Sequence, residues 1–263
     1  MAAIHPLVRL AQRFTVDWLG SADPTVLPDI MAPDYLVHIG PVQLAGLPQY
    51  TEATLQQVHR FPGLLLTIQE VVTDGDRLAL VFTEHGASAE QDLRPSAWRG
   101  VGLWRWDGTR LTENWSQEDY YGRRRQLTAG VADVIPAPAP APWTTAPVPA
   151  DPAAEDVARA WLANPARGGV WWDDGLADGP AIEVTGVVVD ELFSAGDRVA
   201  FAASWQGTYR SGIDGAPNGA VSNSVLGATG VLTVRGGAVV DGRVVTDRHG
   251  LRRALRAGGG STA

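Results

Sequence analysis

The run Leu111–Asp119 (LTENWSQED) reads as a strand, whose side chains alternate sides, so Glu113, Trp115, Gln117 and Asp119 share one face and Glu118 points the other way. A carboxyl group held in apolar surroundings keeps its proton to higher pH and can exchange it with a bound molecule near neutrality. Asp119 is a candidate for that work. Its competing role is to cap the helix expected after it. Glu118, on the opposite face, is expected in solvent. His38 closes the short β-rich run Asp34–Ile39 ahead of Gly40-Pro41; its imidazole either moves protons at pH 7 or sits on the surface before the turn. Glu84 and His85 end a run whose two faces carry Leu78, Leu80 and Phe82 against Ala79 and Val81, so only one of them points inward. Glu84 shares the Phe82 face. A buried Glu needs a partner, and Arg99 or Arg105 on a neighbouring strand can supply it; a salt bridge at the rim is the alternative. Trp98, Trp104, Trp106 and Trp115 crowd two adjacent strands, where indoles stack on a planar ligand or fill a core.

Other chemistries lack their residues. The chain has no cysteine, and its five histidines are scattered without ligand spacing, so no metal site is expected. No Gly-rich phosphate loop and no nucleophile elbow is present, and no cofactor is expected. All 21 basic residues are arginine, and the formal net charge of −8 argues against nucleic acid or an anionic membrane as partner. No window reaches transmembrane length and the N-terminus does not read as a signal, so a cytoplasmic location is expected.

The elements that must position these residues are legible in the periodicity. Apolar spacing predicts a helix over Ile4–Leu19, a short one over Pro24–Met31 and a third over Pro48–Arg60. Strands are expected at Asp34–Ile39, Leu64–Val72, Arg77–His85, Trp98–Trp106 and Leu111–Gln117, the last four as two hairpins. Residues 129–150, rich in Pro and Ala, read as a semi-rigid polyproline spacer. Beyond it come a helix at Pro152–Leu162, a Gly/Trp/Asp-rich stretch (Gly168–Gly179), strands Ile182–Phe193, Val199–Trp205, Ser222–Val234 and Ala238–Val245, and a basic helix Leu251–Arg256.

The chain repeats itself. Gln69–Gly86 aligns without a gap on Asp190–Gly207, 121 residues on, with six of 18 positions identical, among them Gly75-Asp76-Arg77 and Gly196-Asp197-Arg198. Gly108–Leu127 aligns likewise on Gly236–Leu255, setting Asp119 over Asp247 and Gly122 over Gly250. Two such matches in one order indicate a tandem duplication. The expected division is 1–128, a spacer at 129–150, an abridged copy at 151–257 and a tail at 258–263. In the copy, no counterpart is evident for the short helix, the first strand or the long third helix.

The order of elements, with GDR, the Asp107-Gly108 turn, Leu111, Glu113, Trp115, Asp119, Gly122, Gln126 and Leu127, resembles the SnoaL-like polyketide cyclase branch of the NTF2-like superfamily. The second half resembles it through Gly207-Thr208-Tyr209, Pro217-Asn218-Gly219, Asp247 and Gly250. The resemblance implies an α+β fold: two cone-shaped barrels, each a curved antiparallel sheet covered by helices, paired sheet to sheet as an internal pseudo-dimer. Further homo-oligomers would be compatible with it. It implies an apolar pocket in the first unit and cofactor-free acid/base chemistry (cyclisation, isomerisation or dehydration) on an apolar polyketide-like or terpenoid molecule. A non-catalytic binding or assembly module is the alternative, since these cones host both. Under the resemblance, His38 and Asp119 move protons, Glu84 and Arg99 assist, and Tyr35, Trp98, Trp104, Trp115 and Gln117 contact the substrate. Several members carry an Asp before the Asp-Gly turn; here that position falls at about Gly102, so the Arg-Asp relay of the epoxide hydrolases is not reproduced.

Overall fold

The structure, a computed structural model, describes residues 3–166, 168–173, 181–216 and 220–258. Pro217-Asn218-Gly219, the end of the Gly/Trp/Asp-rich stretch from residue 174 and the tail from residue 259 lie outside the described residues.

The first unit opens with helix α1 (Pro6–Arg13), which runs on through a wider π-helical segment, Phe14–Leu19, so the single helix expected over Ile4–Leu19 is two joined pieces. A 3₁₀ turn at Pro24–Val26 leads into α2 (Leu27–Ile30). Next come strands β1 (Met31–Ile39) and β2 (Val42–Ala45), helix α3 (Leu47–Arg60), strands β3 (Leu65–Thr73), β4 (Arg77–Ser88), β5 (Arg94–Trp106) and β6 (Leu111–Glu118), and helix α4 (Tyr120–Ala129). The second unit has α5 (Pro152–Ala163), β7 (Val170–Trp172), β8 (Ile182–Ala195), β9 (Arg198–Tyr209), β10 (Val221–Arg235), β11 (Ala238–Thr246) and α6 (Arg248–Gly258).

The first sheet runs β2-β1-β6-β5-β4-β3 and the second β7-β11-β10-β9-β8. Among the described residues, only β1 on β6 and β7 on β11 pair in parallel. The copy therefore does keep a first strand, in the three residues of β7. Residues 173–181 alone separate it from β8, too few for an equivalent of α3.

Each sheet buries one face under its own helices. Leu7, Val8, Trp18 and Ile30 pack on Leu78, Leu80 and Phe82 in the first unit, and Ala154, Ala158 and Leu162 of α5 lie on the second sheet. The other faces meet each other, Val72, Ala79, Val81, Val101 and Leu103 against Phe193, Ala195, Ala200, Val231 and Val245. Thr229 Oγ1 donates to the carbonyl of Val101 across this seam at 2.7 Å. The repeated residues sit at its end. Arg198 pairs with Glu70 at 2.5 Å and Arg77 lies 3.6 Å from Glu191, so each copy's GDR arginine reaches the glutamate that opens the other copy's repeat. The sheets thus pack with an approximate twofold relation.

The Pro/Ala-rich segment is bound along the first sheet rather than standing off as a spacer. Ala139 N–H donates to Ile68 O (2.8 Å) and Val148 N–H to Thr73 O (3.0 Å), covering the outer edge of β3. Prolines leave that edge no further donors to extend the sheet.

Candidate active site

β1, β4, β5 and β6 turn alternate residues toward α1–α3, and the space between is a cavity of about 320 Å³. Its wall is mostly apolar: Phe14, Leu19, Tyr35, Val37, Ile39, Leu44, Tyr50, Leu64, Leu66, Phe82 and Trp104. Two glycines make the floor possible. A Cβ on Gly100 would come within 2.3 Å of the Phe82 ring, and one on Gly102 within 2.5 Å of the Trp104 ring, so both rings lie across β5 where side chains would otherwise stand. Trp104 Nε1 donates to Tyr35 Oη at 3.0 Å, and Trp18 Nε1 to Tyr50 Oη at 3.2 Å, which fixes two walls and satisfies their buried polar atoms.

The polar groups converge at one end. Glu84, 5% exposed, and Glu118, half-buried at the end of β6, face each other across the β4–β5–β6 surface. Burial pushes the Glu84 carboxyl well above the usual range, and the charge of Glu118 and a hydrogen bond to it push the same way, while Arg123 and Gln57 pull it back. Two adjoining carboxyls do not both ionise readily, so this pair holds a proton on the Glu84 side. The surroundings orient it. Gln57 Nε2 donates to Glu84 Oε2 (3.2 Å), Arg123 Nη1 donates to Gln57 Oε1 (3.1 Å) and Trp98 Nε1 donates to Glu118 Oε2 (2.9 Å). Arg123 lies over the rings of Tyr120, Trp98 and Phe61 at 4.3, 4.9 and 5.1 Å, a cation packed behind the dyad. Such an arrangement can donate a proton from one carboxyl and accept one at the other.

Residues 9–127, which supply nearly all of this cavity, match the model of the SnoaL-like polyketide cyclase family. Over these residues the first unit is similar to SnoaL-like polyketide cyclases. No curated protein matches the chain. Among solved structures, IdmH of Streptomyces antibioticus is 20% identical, covering 47% of this chain and 99% of its own, with a TM-score of 0.43. TsrD of Streptomyces laurentii is 20% identical, covering 49% and 99%, with a TM-score of 0.44.

Within the first unit Glu84, Tyr35, Trp104 and Gln117 border the cavity. Other expected residues do not. The cavity face of β6 is Asn114, Ser116 and Glu118, the set opposite to Glu113, Trp115 and Asp119, because the Trp115 face is taken by the second unit. Asp119 is instead a structural residue: its Oδ1 accepts from Gly122 N–H (2.7 Å) as the N-cap of α4 and from Arg248 Nη2 (2.5 Å) of the second unit. His38 also turns away, its Nε2 2.9 Å from Glu113 Oε1 and its ring stacked on Trp115 at 5.1 Å. Arg99 lies 4.3 Å over the Trp171 ring and Arg105 reaches Glu191 at 2.5 Å, so neither partners Glu84. Trp98 is buried behind Glu118 rather than on the wall. His85 meets Thr67 Oγ1 at 3.0 Å, outside the cavity, leaving Glu84 as the inward residue.

Sequence reading missed Glu118, Gln57, Tyr120 and Arg123. The signal for Glu118 was present in the polar set Asn114, Ser116, Glu118 at strand spacing. It was masked by the equally polar alternate set, which only the seam between sheets identifies as the interface face. Among the described residues, no group of three or more His, Asp or Glu is placed to hold a metal ion, and no helix is long and apolar enough to cross a membrane.

Proposed function

We propose that the first unit is a cofactor-independent acid/base catalyst acting on an apolar, ring-containing small molecule of polyketide or terpenoid type. The observation that carries this reading is the Glu84–Glu118 pair, a proton-holding carboxyl dyad at the polar end of an apolar cavity. For a ketone-bearing substrate, Glu118 removes a proton from the carbon beside the carbonyl while Glu84 gives its proton to the carbonyl oxygen. The C–H electron pair becomes the C=C bond of the enol, and the dyad ends with its proton on the other member. Attack of that enol carbon on a second carbonyl is a ring closure; reprotonation elsewhere is an isomerisation. His38, Asp119 and Arg99 have no direct part in this scheme.

The test is hydrogen–deuterium exchange of 2-tetralone, an apolar bicyclic ketone, followed by proton NMR in D₂O. The wild type is expected to accelerate loss of the α-proton signal, and Glu84→Gln and Glu118→Gln each to lower that rate by about 10²- to 10⁴-fold at little change in binding. Binding of the ketone without accelerated exchange would instead support a ligand-binding module.

A further inference from the structure

The cavity of the first unit is closed at its mouth by residues of the second. Asp247, His249, Gly250 and Arg253, from the β11–α6 junction, border it beside Gly40, Pro41, Val42 and Gln117. The fit is close. Gly40 has φ +54°, and a Cβ there would lie 2.8 Å from Asp247 Oδ2; a Cβ on Gly227 would lie 3.1 Å from Gln117 Nε2. Asp247 is held by its own cap on α6, accepting from Gly250 N–H at 2.8 Å.

We infer that this junction gives the first unit's site its ligand preference, selecting an apolar molecule that carries an anionic group, such as a carboxylate, at the end that lies against the junction. This rests on the cavity being the ligand site proposed above. Two observations support it. The first is charge. In a chain of net charge −8, His249 lies in the field of Arg253, Arg124 and Arg252, and Arg252 in turn in that of Arg124 and Arg256. Asp247 is the acidic residue of the mouth, and Asp214 stands near Arg252. The arginines outnumber them. Arg253 is exposed and forms no salt bridge among the described residues. Arg252 and Arg256 spend one N–H each on the carbonyls of Asp214 and Gly215 and remain charged. The second is an unmet donor or acceptor: His249 Nδ1 is buried without a hydrogen-bond partner at the cavity mouth.

Among its described residues the abridged copy has no counterpart of α3 to close a cone of its own. It is thereby explained as retained for the sheet seam and for this mouth.

The experiment compares 2-naphthoate with 2-naphthamide, equal in shape and different in charge, by quenching of tryptophan fluorescence on the full chain at low salt. The wild type is expected to bind the naphthoate about fivefold or more tightly, with the preference shrinking as salt is raised. In Arg253→Gln, and further in Arg253→Gln with Arg124→Gln, the preference should fall toward unity while the melting temperature holds. Equal binding of the two probes by the wild type, no binding of either, or a preference that survives both variants overturns the proposal. A preference that follows Arg253 while Glu84→Gln leaves tetralone exchange unchanged would sustain the mouth and reject the catalytic reading.

Discussion

Glu84 concentrates the chemistry because it is buried against another carboxyl, and the same fact fixes how stability depends on pH. In an unfolded chain a Glu titrates near about 4.3. In the native state burial and Glu118 hold Glu84 protonated to higher pH. Between the two values the native chain binds more protons than the unfolded one, so this residue's contribution is full below the unfolded value and is lost as pH rises through the native one. Glu84→Gln removes that loss. The melting temperature of the variant relative to the wild type is therefore expected to climb between pH 4 and pH 8; a relative fall over that range would show that Glu84 is ionised in the fold. Arg123 differs in kind. It orients Gln57 and backs three rings, so Arg123→Met should loosen the dyad and lower exchange of 2-tetralone while its binding changes little.

Among the elements, the β6–α4 and β11–α6 junctions are the same device used twice. Asp119 N–H donates to Arg99 O and Asp247 N–H to Gly227 O, both at 2.8 Å, and each Asp then caps its helix three residues on. Gly122 and Gly250 recur because a Cβ at either would lie about 2 Å from the capping carboxylate. Asp119→Asn keeps a competent cap but takes from Arg248 the nearer of two carboxylates, leaving Asp173 at 3.7 Å. Stability should fall by about 1.5–3 kcal/mol in urea unfolding, the range for hydrogen bonds to charged groups, with the exchange rate per folded molecule unchanged. A large loss of exchange at full stability would return Asp119 to the mechanism. Strand β5 gives a second check. Gly102→Ala places a methyl where the Trp104 ring lies and is expected to cost about 1–3 kcal/mol and to displace a cavity wall. Unchanged stability and unchanged 2-tetralone binding would show that the ring is not held there.

At the level of the whole molecule, the two units share a core, so they should unfold together. Leu103, 1% exposed, sits in the seam with Val231 and Phe193. Leu103→Ala should cost about 2–5 kcal/mol and shift a single calorimetric transition to lower temperature. Two separate transitions, only one of them shifted, would show independent units. The seam also has its own titrating group. Burial pushes the Asp173 carboxyl up to about 7, with Arg248 opposing the rise and Asp119 adding to it, so this residue's contribution to stability is lost as pH rises past the usual Asp range toward 7.

The amino-acid sequence by itself determined the α+β class, the duplication and most strands, because alternation, Gly-bearing turns and a repeated Glu…Gly-Asp-Arg are local or self-referential patterns. It also placed Glu84 on the Phe82 face, since in β4 the large apolar side chains mark one side. It could not choose the inward face of β6 or of β1. Glu113, Trp115 and Gln117 are as plausible in a pocket as Asn114, Ser116 and Glu118, and a strand has no intrinsic inside. That choice was made by the second sheet, which covers Trp115 and His38 and leaves Glu118 to the cavity. Short β2 and β7, four and three residues long, offer too little periodicity to read and exist because a neighbouring strand supplies their partners. The mouth built from Asp247, His249 and Arg253 joins residues over 200 positions from β1, and only the packing of one copy on the other brings them together.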